Sequence, residues 1–392
     1  MSGTDLRSLI ARHRRVRGAG APAPLRVGIW GPGTRAASFY APIVRALGDE
    51  LQLVGVAGRH LERARRVAEP YECAAFDSID ELVEKARPDL LIVCVCYGMN
   101  GVAALRALDF GIPLLLETPL SSRLRECDAV VQLVAEKRLP VQVAEQNHLF
   151  PIEQMKTRLV REGLFGELIT VQNDYWGFRY HGMSQIRMLA GFDNPVTRVR
   201  GLERTVKVWP HPSRWDGNPS REDERWWFGW LEHAWGTISL HHYTSICYDA
   251  PIRGERSLRF YGTGGYGSNE HYWRFNADRT DREELSVEWI WNDLGDGAKA
   301  LAALVARPGR GAPEIRWENP FADLPFDDDH VGVACSLAAL VRAIRAGTSD
   351  VPYGVEGGRI DQELCTAIEV SHRRGGEALT FPLDRALLGE WD

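Results

Sequence analysis

The sequence predicts an α/β protein in which a doubly wound parallel sheet precedes an α+β domain with a large open antiparallel sheet. Two hydrophobicity patterns indicate this class. In residues 25–147, short apolar segments alternate five times with helical segments, as parallel strands do when helices cover both faces. Beyond residue 147 the apolar segments are longer and partly alternating, which is typical of antiparallel strands with one open face.

The first region begins with a strand that leads into a glycine-rich turn and a helix. Its short apolar strands are expected to be buried, and right-handed crossovers then give a doubly wound sheet. The expected strands are LRVGIW (25–30), LQLVGVAG (51–58), DLLIVCVC (89–96), IPLLLE (112–117) and PVQVAEQ (140–146). The expected helices lie at 31–47, 60–69, 77–86, 101–111 and 123–138. Ser78 or Asp77 is expected to cap the third helix, because acidic residues follow in its first turn.

The second region is expected to mix helices with longer strands. A helix over 150–166 stops at a glycine. Strands are expected at 167–176, 198–208, 236–246 and 256–265, and helices at 330–347 and 355–376. The tryptophan-rich segment 225–235 is expected to pack large side chains on a sheet face, with a substrate pocket or a subunit interface as alternatives.

Composition restricts the class of protein. The formal net charge of -6 gives no reason to expect nucleic acid or an anionic membrane as partner. No apolar run approaches the ~18 residues of a membrane helix. Residues 1–24 are basic and are expected to form a short helix or tail and a linker, without the apolar run of a secretion signal. The 7 cysteines lack ligand spacing, and reduced thiols fit a cytoplasmic location.

No residue cluster predicts a metal site. Adjacent His241 and His242 in a strand point to opposite faces, so they cannot bind one ion together. The acidic run 327–329 before His330 is expected to cap a helix rather than bind a cation. The sequence also lacks a Gly-x-Ser-x-Gly elbow and a P-loop.

The segment VGIWGPGTRAA (27–37) carries the dinucleotide-binding pattern Gly-x-Gly-x-x-Ala. Gly31 permits a tight turn, and Gly33 lets the backbone approach a pyrophosphate at the helix N-terminus. Ala36 lets the helix pack closely on the strand. Because the pattern lies between a strand and a helix in a βαβ unit, it predicts nucleotide binding.

The residues after the second strand favour NADP(H) over NAD(H). An NAD site places an acid there for the ribose hydroxyls, but this strand ends in Gly58, Arg59 and His60. A small residue followed by arginine leaves room for a 2′-phosphate and supplies a planar cation to bind it. The alternative is that Arg59 is a solvated residue and that either cofactor is accepted.

These motifs, in this order, resemble the Gfo/Idh/MocA family, whose members include glucose–fructose oxidoreductase and inositol dehydrogenase. The resemblance spans residues 25 to about 382. Besides the glycine-rich turn and the strand ending Glu117-Thr118-Pro119, it includes the segments 150–168, 258–267 and 353–376.

The resemblance implies an N-terminal Rossmann domain that binds NAD(P), residues 25–147. It implies a substrate-binding and oligomerisation domain, residues 148–392, with the substrate site between the two. Family members are commonly dimers or tetramers built through the open sheet, so a homodimer or homotetramer is expected.

The resemblance also implies site residues, with departures. The family ends its fourth strand Glu-Lys-Pro, and the lysine takes part in acid–base chemistry. Here Thr118 replaces that lysine, and a threonine hydroxyl cannot carry a proton through pH 7. Glu117 is kept and is expected to position the nicotinamide. The family's histidine after the third strand would fall at Asn100.

His181, in GFRYHGMS (177–184), matches the family's catalytic histidine, although Gly177 and Ser184 replace the acids on either side. An unperturbed imidazole has a pKa of about 6.5, so His181 is expected to donate or accept the proton. The alternative is a structural histidine beside Tyr180.

The expected site residues fall into three groups. The catalytic residues are His181, Tyr180 and Glu117. The substrate contacts are Tyr97, Asn147, His148, Tyr175 and His181, with helix capping as the alternative for Asn147. The cofactor contacts are Gly31, Gly33, Thr34, Arg35, Arg59, His60, Cys96, Glu117, Thr118 and Pro119.

The sequence thus favours an NADP(H)-dependent oxidoreductase that transfers hydride between nicotinamide and a carbonyl, carbinol or imine carbon of a sugar, cyclitol or related metabolite. Two alternatives remain. One is a glycoside hydrolase or lyase that oxidises its sugar transiently and recycles a tightly held cofactor. The other is a non-catalytic NADPH-binding protein, which the missing lysine and acid would fit.

Overall fold

The computed structural model describes residues 3–174, 178–212, 219–244, 257–309 and 312–388. The chain divides into two compact units, each assembled from distant segments. The first unit consists of Met1–Pro151, Trp289–Ala303 and Glu318–Gln362. The second consists of Ile152–Glu288, Leu304–Trp317 and Glu363–Asp392.

A parallel sheet forms the centre of the first unit. Its strands are β1 (Leu25–Trp30), β2 (Leu51–Ala57), β3 (Ala74–Phe76), β4 (Leu90–Val93), β5 (Leu114–Leu116) and β6 (Val141–Val143). They lie in the order β3-β2-β1-β4-β5-β6, with every neighbouring pair parallel. The predicted doubly wound parallel sheet is confirmed, but the predicted number of five strands was wrong, because the sheet has six. The sixth, β3, has the sequence AAF with only Phe76 buried, so it lacks the apolar run that marks β5 and β6.

One helix precedes these strands and five connect them. The helices are α1 (Gly3–Arg12), α2 (Ala41–Ala46), α3 (Leu61–Ala68), α4 (Ile79–Glu81), α5 (Asn100–Leu108) and α6 (Leu124–Lys137). A π-helical turn over Ala36–Tyr40 precedes α2, and a second over Leu82–Ala86 follows α4. The Ser78 hydroxyl accepts a hydrogen bond from the N–H of Glu81 at 3.3 Å, so Ser78 rather than Asp77 caps α4.

Arg15 ties the N-terminal segment to the first unit. Its Nε donates to Oδ2 of Asp323 at 2.7 Å, its guanidinium lies 5.4 Å from the ring centre of Phe321, and its backbone N–H donates to the carbonyl of Ala46. The predicted short helix is present as α1, and no helix or strand occurs between residues 13 and 24. The expected linker is therefore anchored at its beginning.

Longer strands and four helices make up the remainder of the described chain. The helices are α7 (Pro151–Arg161), α8 (Arg179–Ala190), α9 (Asp328–Ala346) and α10 (Val355–Arg373). The strands are β7 (Leu168–Asp174), β8 (Val196–Pro212), β9 (Pro219–His233), β10 (Ile238–Thr244), β11 (Ser257–Gly262), β12 (Gly265–Ser268), β13 (His271–Phe275), β14 (Arg282–Glu284), β15 (Val287–Gly295), β16 (Ala298–Ala306), β17 (Ile315–Glu318) and β18 (Leu379–Thr380). Nine of them form the large sheet, β14-β13-β12-β11-β7-β10-β9-β8-β18, and β15-β16-β17 form a small one.

The large sheet has one buried and one open face, as predicted. Its neighbouring strands pair antiparallel except β7 and β10, which are parallel, so the sheet is mixed. Residues alternate along each strand: Trp227 and Leu231 of β9 are buried, whereas Phe228 and Trp230 are 43% and 44% exposed. The tryptophan-rich segment therefore packs one set of side chains on the buried face and presents the other on the open face.

A buried ion pair joins α7 to the large sheet. Nζ of Lys156 donates to Oε2 of Glu153 and to the carbonyl oxygen of Leu258, both at 2.9 Å. Burial raises the pKa of Glu153, and the adjacent ammonium opposes that shift. Because the lysine also satisfies a strand carbonyl, the pair positions α7 on β11.

Candidate active site

The glycine-rich turn follows β1 at the carboxyl end of the parallel sheet. Gly31 has a φ of +118°, and a Cβ atom there would lie 2.3 Å from the carbonyl oxygen of Cys94, so only glycine fits. Gly33 differs: no atom lies within 4 Å of where its Cβ would be, and Thr34 beside it is exposed. The turn thus has an open backbone surface ahead of a helix, which is what a pyrophosphate requires.

Arg35 and Glu117, two predicted cofactor residues, bind each other. Nε of Arg35 donates to Oε1 of Glu117 at 2.7 Å, and the guanidinium stacks 4.2 Å from the ring centre of Phe39. The hydroxyl of Tyr40 donates to Oε2 of Glu117. Although burial opposes it, the Glu117 carboxylate raises the pKa of Arg35, so the arginine stays charged. The Arg35 side chain is therefore held against the Glu117 carboxylate by the hydrogen bond from its Nε.

The segment after β5 is held from its other side by α5. Nδ2 of Asn100 donates to the carbonyl oxygen of Pro119 at 2.7 Å and to that of Glu117 at 3.4 Å. Asn100 is buried, whereas Thr118 is half-buried. Asn100 thus fixes the backbone that carries Glu117 and Thr118.

The position directly after β2 leaves no room for an acidic side chain. Gly31 and Gly58 follow the paired residues Trp30 and Ala57, so the two turns are neighbours at one edge of the sheet. A Cβ atom at Gly58 would lie 2.3 Å from Cδ of Pro32. The next residue, Arg59, is exposed, and so is His60 at the start of α3.

The predicted substrate contacts of the first unit differ in exposure. Tyr97, after β4, is 65% exposed, and Cys96 beside it is also exposed. Asn147 and His148, after β6, are buried. Asn147 donates its backbone N–H to Oε1 of Glu145 at 3.0 Å, and the ring of His148 lies 4.5 Å from that of Tyr353. Neither Asn147 nor His148 forms an open surface comparable to that at Tyr97.

In the second unit, the first turn of α8 carries Tyr180 and His181. The ring of His181 is buried and lies 4.5 Å from that of Tyr180. The hydroxyl of Ser184 donates to the backbone carbonyl of His181 at 2.8 Å, so it serves the helix rather than the imidazole. Tyr175 and Gly177 lie outside the described residues.

His241 lies on β10 directly beneath this turn of α8. A Cβ atom at Gly182 would lie 2.5 Å from Cε1 of His241 and 2.6 Å from Oδ1 of Asn173, so the helix contacts both side chains closely. Both ring nitrogens of His241 are buried without a hydrogen-bond partner among the described residues. Burial, reinforced by the charges of His242 and Arg179, lowers the pKa of His241 to about 3. His241 is therefore neutral at physiological pH.

This burial predicts a pH-dependent stability. In the unfolded chain the imidazole has a pKa of about 6.5, whereas in the folded protein the pKa of His241 is about 3. Between these two pH values only the unfolded state binds the proton. The stabilisation that is fully present above pH 6.5 is therefore lost as the pH falls from about 6.5 toward 3. Between pH 7 and 5, His241 should lower the free energy of unfolding by about 2 kcal/mol. Urea unfolding of wild type and His241→Gln at both pH values measures the difference.

The matched control for this prediction is His271→Gln, since the His271 side chain is 75% exposed. That variant should show the wild-type change in the free energy of unfolding between pH 7 and 5. In His241→Gln this change should be smaller by about 2 kcal/mol. Equal pH dependence in all three proteins would show that His241 is not the group responsible.

The acidic run before α9 caps that helix, as expected. Oδ1 of Asp327 accepts from the N–H of His330 at 2.9 Å and lies 2.6 Å from its Nδ1.

Among the described residues no cluster of three or more His, Cys, Asp or Glu side chains could hold a metal ion. Within the same residues, none of the helices combines the length and apolar character needed to span a bilayer.

Sequence reasoning missed Tyr40 and Pro32 as parts of this site. Tyr40 is separated from Glu117 by 77 residues, and its neighbours suggest only a helix. Pro32 stands inside the recognised motif, but its contact with Gly58 requires the strand register. Only the small size of Gly58 was a signal that something packs against it.

Comparison with known proteins identifies the first region. Residues 25–145 match the model of the Gfo/Idh/MocA oxidoreductases, described as an oxidoreductase family with an NAD-binding Rossmann fold. The chain is 29% identical over 147 residues to the dTDP-3,4-didehydro-2,6-dideoxy-alpha-D-glucose 3-reductase of Streptomyces violaceoruber, covering 37% of the chain and 42% of the relative. It is 28% identical over 130 residues to the UDP-N-acetylglucosamine 3-dehydrogenase of Acidithiobacillus ferrooxidans, covering 33% and 40%. The chain thus spans less than half the length of either relative.

The fold of nearly the whole chain also has solved counterparts. The WlbA dehydrogenase from Bordetella pertussis, in complex with NADH and UDP-GlcNAcA, aligns with a TM-score of 0.64 at 16% identity, over 92% of this chain and 100% of that one. This likeness shows a shared fold, with a parallel sheet and a large mixed sheet. Residues 25–145 therefore match the NAD-binding Rossmann fold of the Gfo/Idh/MocA oxidoreductases, and the fold of nearly the whole chain matches that of a solved dehydrogenase.

Proposed function

We propose that the chain is an NADP(H)-dependent oxidoreductase acting on a sugar or related metabolite. One observation carries this proposal. The open turn at Gly33, the exposed Arg59 and the hydrogen-bonded Glu117 all lie at the carboxyl ends of strands in the parallel sheet. This edge is where open α/β sheets bind dinucleotides. When bound, the nicotinamide supplies a hydride donor or acceptor.

The preference for NADP(H) is supported by the packing of Pro32 on Gly58. The ring occupies the space where a side chain at position 58 would point, so no acid can reach the ribose from there. Arg59 follows as an exposed guanidinium, which can bind a 2′-phosphate with two parallel hydrogen bonds. Arg35 is paired with the Glu117 carboxylate through its Nε, and we therefore assign the 2′-phosphate to Arg59.

His181 is the residue we assign to proton transfer, with Tyr180 beside it as a second donor. The imidazole can give a proton to an alkoxide or take one from a carbinol at neutral pH. Thr118 cannot replace the family lysine in this role, although its half-buried hydroxyl can donate a hydrogen bond. Residues 25–147 would then bind the cofactor, and residues 148–392 would supply the substrate domain.

The proposed substrate class is supported by the relatives, which are named for reactions at position 3 of nucleotide-linked sugars. Exposed aromatic side chains such as Tyr97 suit the flat faces of a pyranose or a base. We also propose that two copies associate through the open face of the large sheet, where Phe228 and Trp230 are exposed.

The test is turnover of purified protein against nucleotide sugars, free sugars, cyclitols and aryl glycosides. Net conversion of NADPH or NADP, read at 340 nm and matched by an equal amount of product, is the expected result. Product formation without net cofactor change would instead indicate transient oxidation with recycled cofactor. NADPH binding with no product from any substrate would favour a non-catalytic role.

A further inference from the structure

We infer that Tyr40 is a positioning residue for the cofactor site, acting through the Glu117 carboxylate. The inference rests on the proposed function and deepens it. The observation behind it is that both oxygens of this carboxylate accept hydrogen bonds from one short segment: Oε1 from Arg35 and Oε2 from Tyr40. Such a carboxylate is held in position through both of its oxygens.

Tyr40 can hold the carboxylate because it has no alternative partner in water. Its side chain is completely buried, at the end of the π-helical turn Ala36–Tyr40 that begins right after the glycine-rich turn. Burial, together with the charge of Glu117, raises the pKa of the Tyr40 hydroxyl well above its ordinary value. The hydroxyl therefore stays protonated at neutral pH and can donate to Glu117.

The hydrogen bonds from Arg35 and Tyr40 to Glu117 join two parts of the proposed cofactor site that are far apart in sequence. Under the proposed function, the turn containing Gly33 would take the pyrophosphate, and the strand end containing Glu117 and Thr118 would lie toward the nicotinamide. Arg35 and Tyr40 connect the first to the second, while Asn100 holds the backbone of the second from α5. The distance between the two parts is thereby fixed before cofactor binds, which lowers the entropic cost of binding.

The role follows from this arrangement. Glu117 connects the strand end to the glycine-rich turn, and Tyr40 keeps the Glu117 carboxylate in the orientation that accepts both hydrogen bonds. Removing the hydroxyl leaves Oε2 without its donor, so the carboxylate can rotate and the strand end can shift relative to the turn. The expected consequence is weaker cofactor binding and slower hydride transfer, with little effect on the overall fold.

The experiment is a double-mutant cycle on NADPH binding by Tyr40→Phe, Glu117→Gln and the double variant, followed by fluorescence titration. Tyr40→Phe should raise the Kd for NADPH about tenfold, the loss expected for one hydrogen bond to a charged group. Because Tyr40 acts through Glu117, the double variant should be no weaker than Glu117→Gln alone. kcat at saturating cofactor should also fall in Tyr40→Phe.

Tyr272→Phe is the matched control. Tyr272 is equally buried, and its hydroxyl donates to the carbonyl oxygen of Asn269 at 2.9 Å in the second unit. It should lower thermal stability as Tyr40→Phe does but leave the Kd for NADPH unchanged. A Tyr40→Phe protein with wild-type Kd and kcat, or a cycle with additive effects, would overturn the inference. If wild-type protein binds no nicotinamide cofactor, the proposed function itself fails, which is a separate outcome.

Discussion

Replacing His181 by glutamine is expected to lower kcat by about 10²- to 10⁴-fold, the usual contribution of a general acid–base group. Glutamine keeps a side chain of similar length with one donor and one acceptor, but it cannot gain or lose a proton near pH 7. Because His181 stands in the second unit and the nucleotide edge in the first, the Kd for NADPH should stay within about twofold of wild type. Steady-state kinetics and cofactor titration of the variant check both expectations.

His271→Gln is the control for this variant, since it removes an exposed imidazole from the same unit. It should keep the wild-type kcat. If His181→Gln also kept it, proton transfer would have to be assigned elsewhere, with Tyr180 as the next residue to test. Loss of NADPH binding in His181→Gln would instead indicate that the change disturbed the fold.

Replacing Arg59 by alanine is expected to raise the Kd for NADPH by about 10- to 100-fold while leaving that for NADH unchanged. The guanidinium is the exposed cation next to the closed position at Gly58, and a charge-assisted contact with a phosphate is worth about 1.5–3 kcal/mol. NADH lacks the 2′-phosphate, so it loses nothing. Parallel titrations with NADPH and NADH measure the selectivity directly.

Arg66→Ala controls for the loss of one positive charge, because Arg66 is an exposed arginine of α3, the helix that follows Arg59. It should alter neither Kd by more than about twofold, the effect of a distant screened charge. Equal weakening of both cofactors by Arg59→Ala would place the arginine at a group that NADH and NADPH share.

Much of the fold could be predicted because its signals are local. Gly31, Gly33 and Ala36 lie within six residues of one another, and continuous apolar strands mark a parallel sheet wherever they occur. Elements with weak local signals were missed. β3 has the sequence AAF and buries only Phe76, so it carries little apolar signal. The parallel pairing of β7 with β10 depends on which strands meet, which hydrophobicity does not encode.

The site could be predicted to the level of strand ends and no further. The sequence places Glu117 at the end of β5, but its two donors stand 82 and 77 residues away, in a segment that looks like an ordinary helix. In the same way, His148 is predicted as a substrate contact from its place after β6, and its packing on Tyr353 depends on a residue at the far end of the chain. Such pairings arise from topology rather than from composition.

The most direct test of the central claim is the ratio of the dissociation constants of NADH and NADPH for wild-type protein at fixed ionic strength. A site built from the open turn at Gly33, the closed position at Gly58 and the exposed Arg59 predicts that NADPH binds at least about tenfold more tightly, since the 2′-phosphate adds one charge-assisted contact. Equal affinities, or tighter binding of NADH, would contradict it.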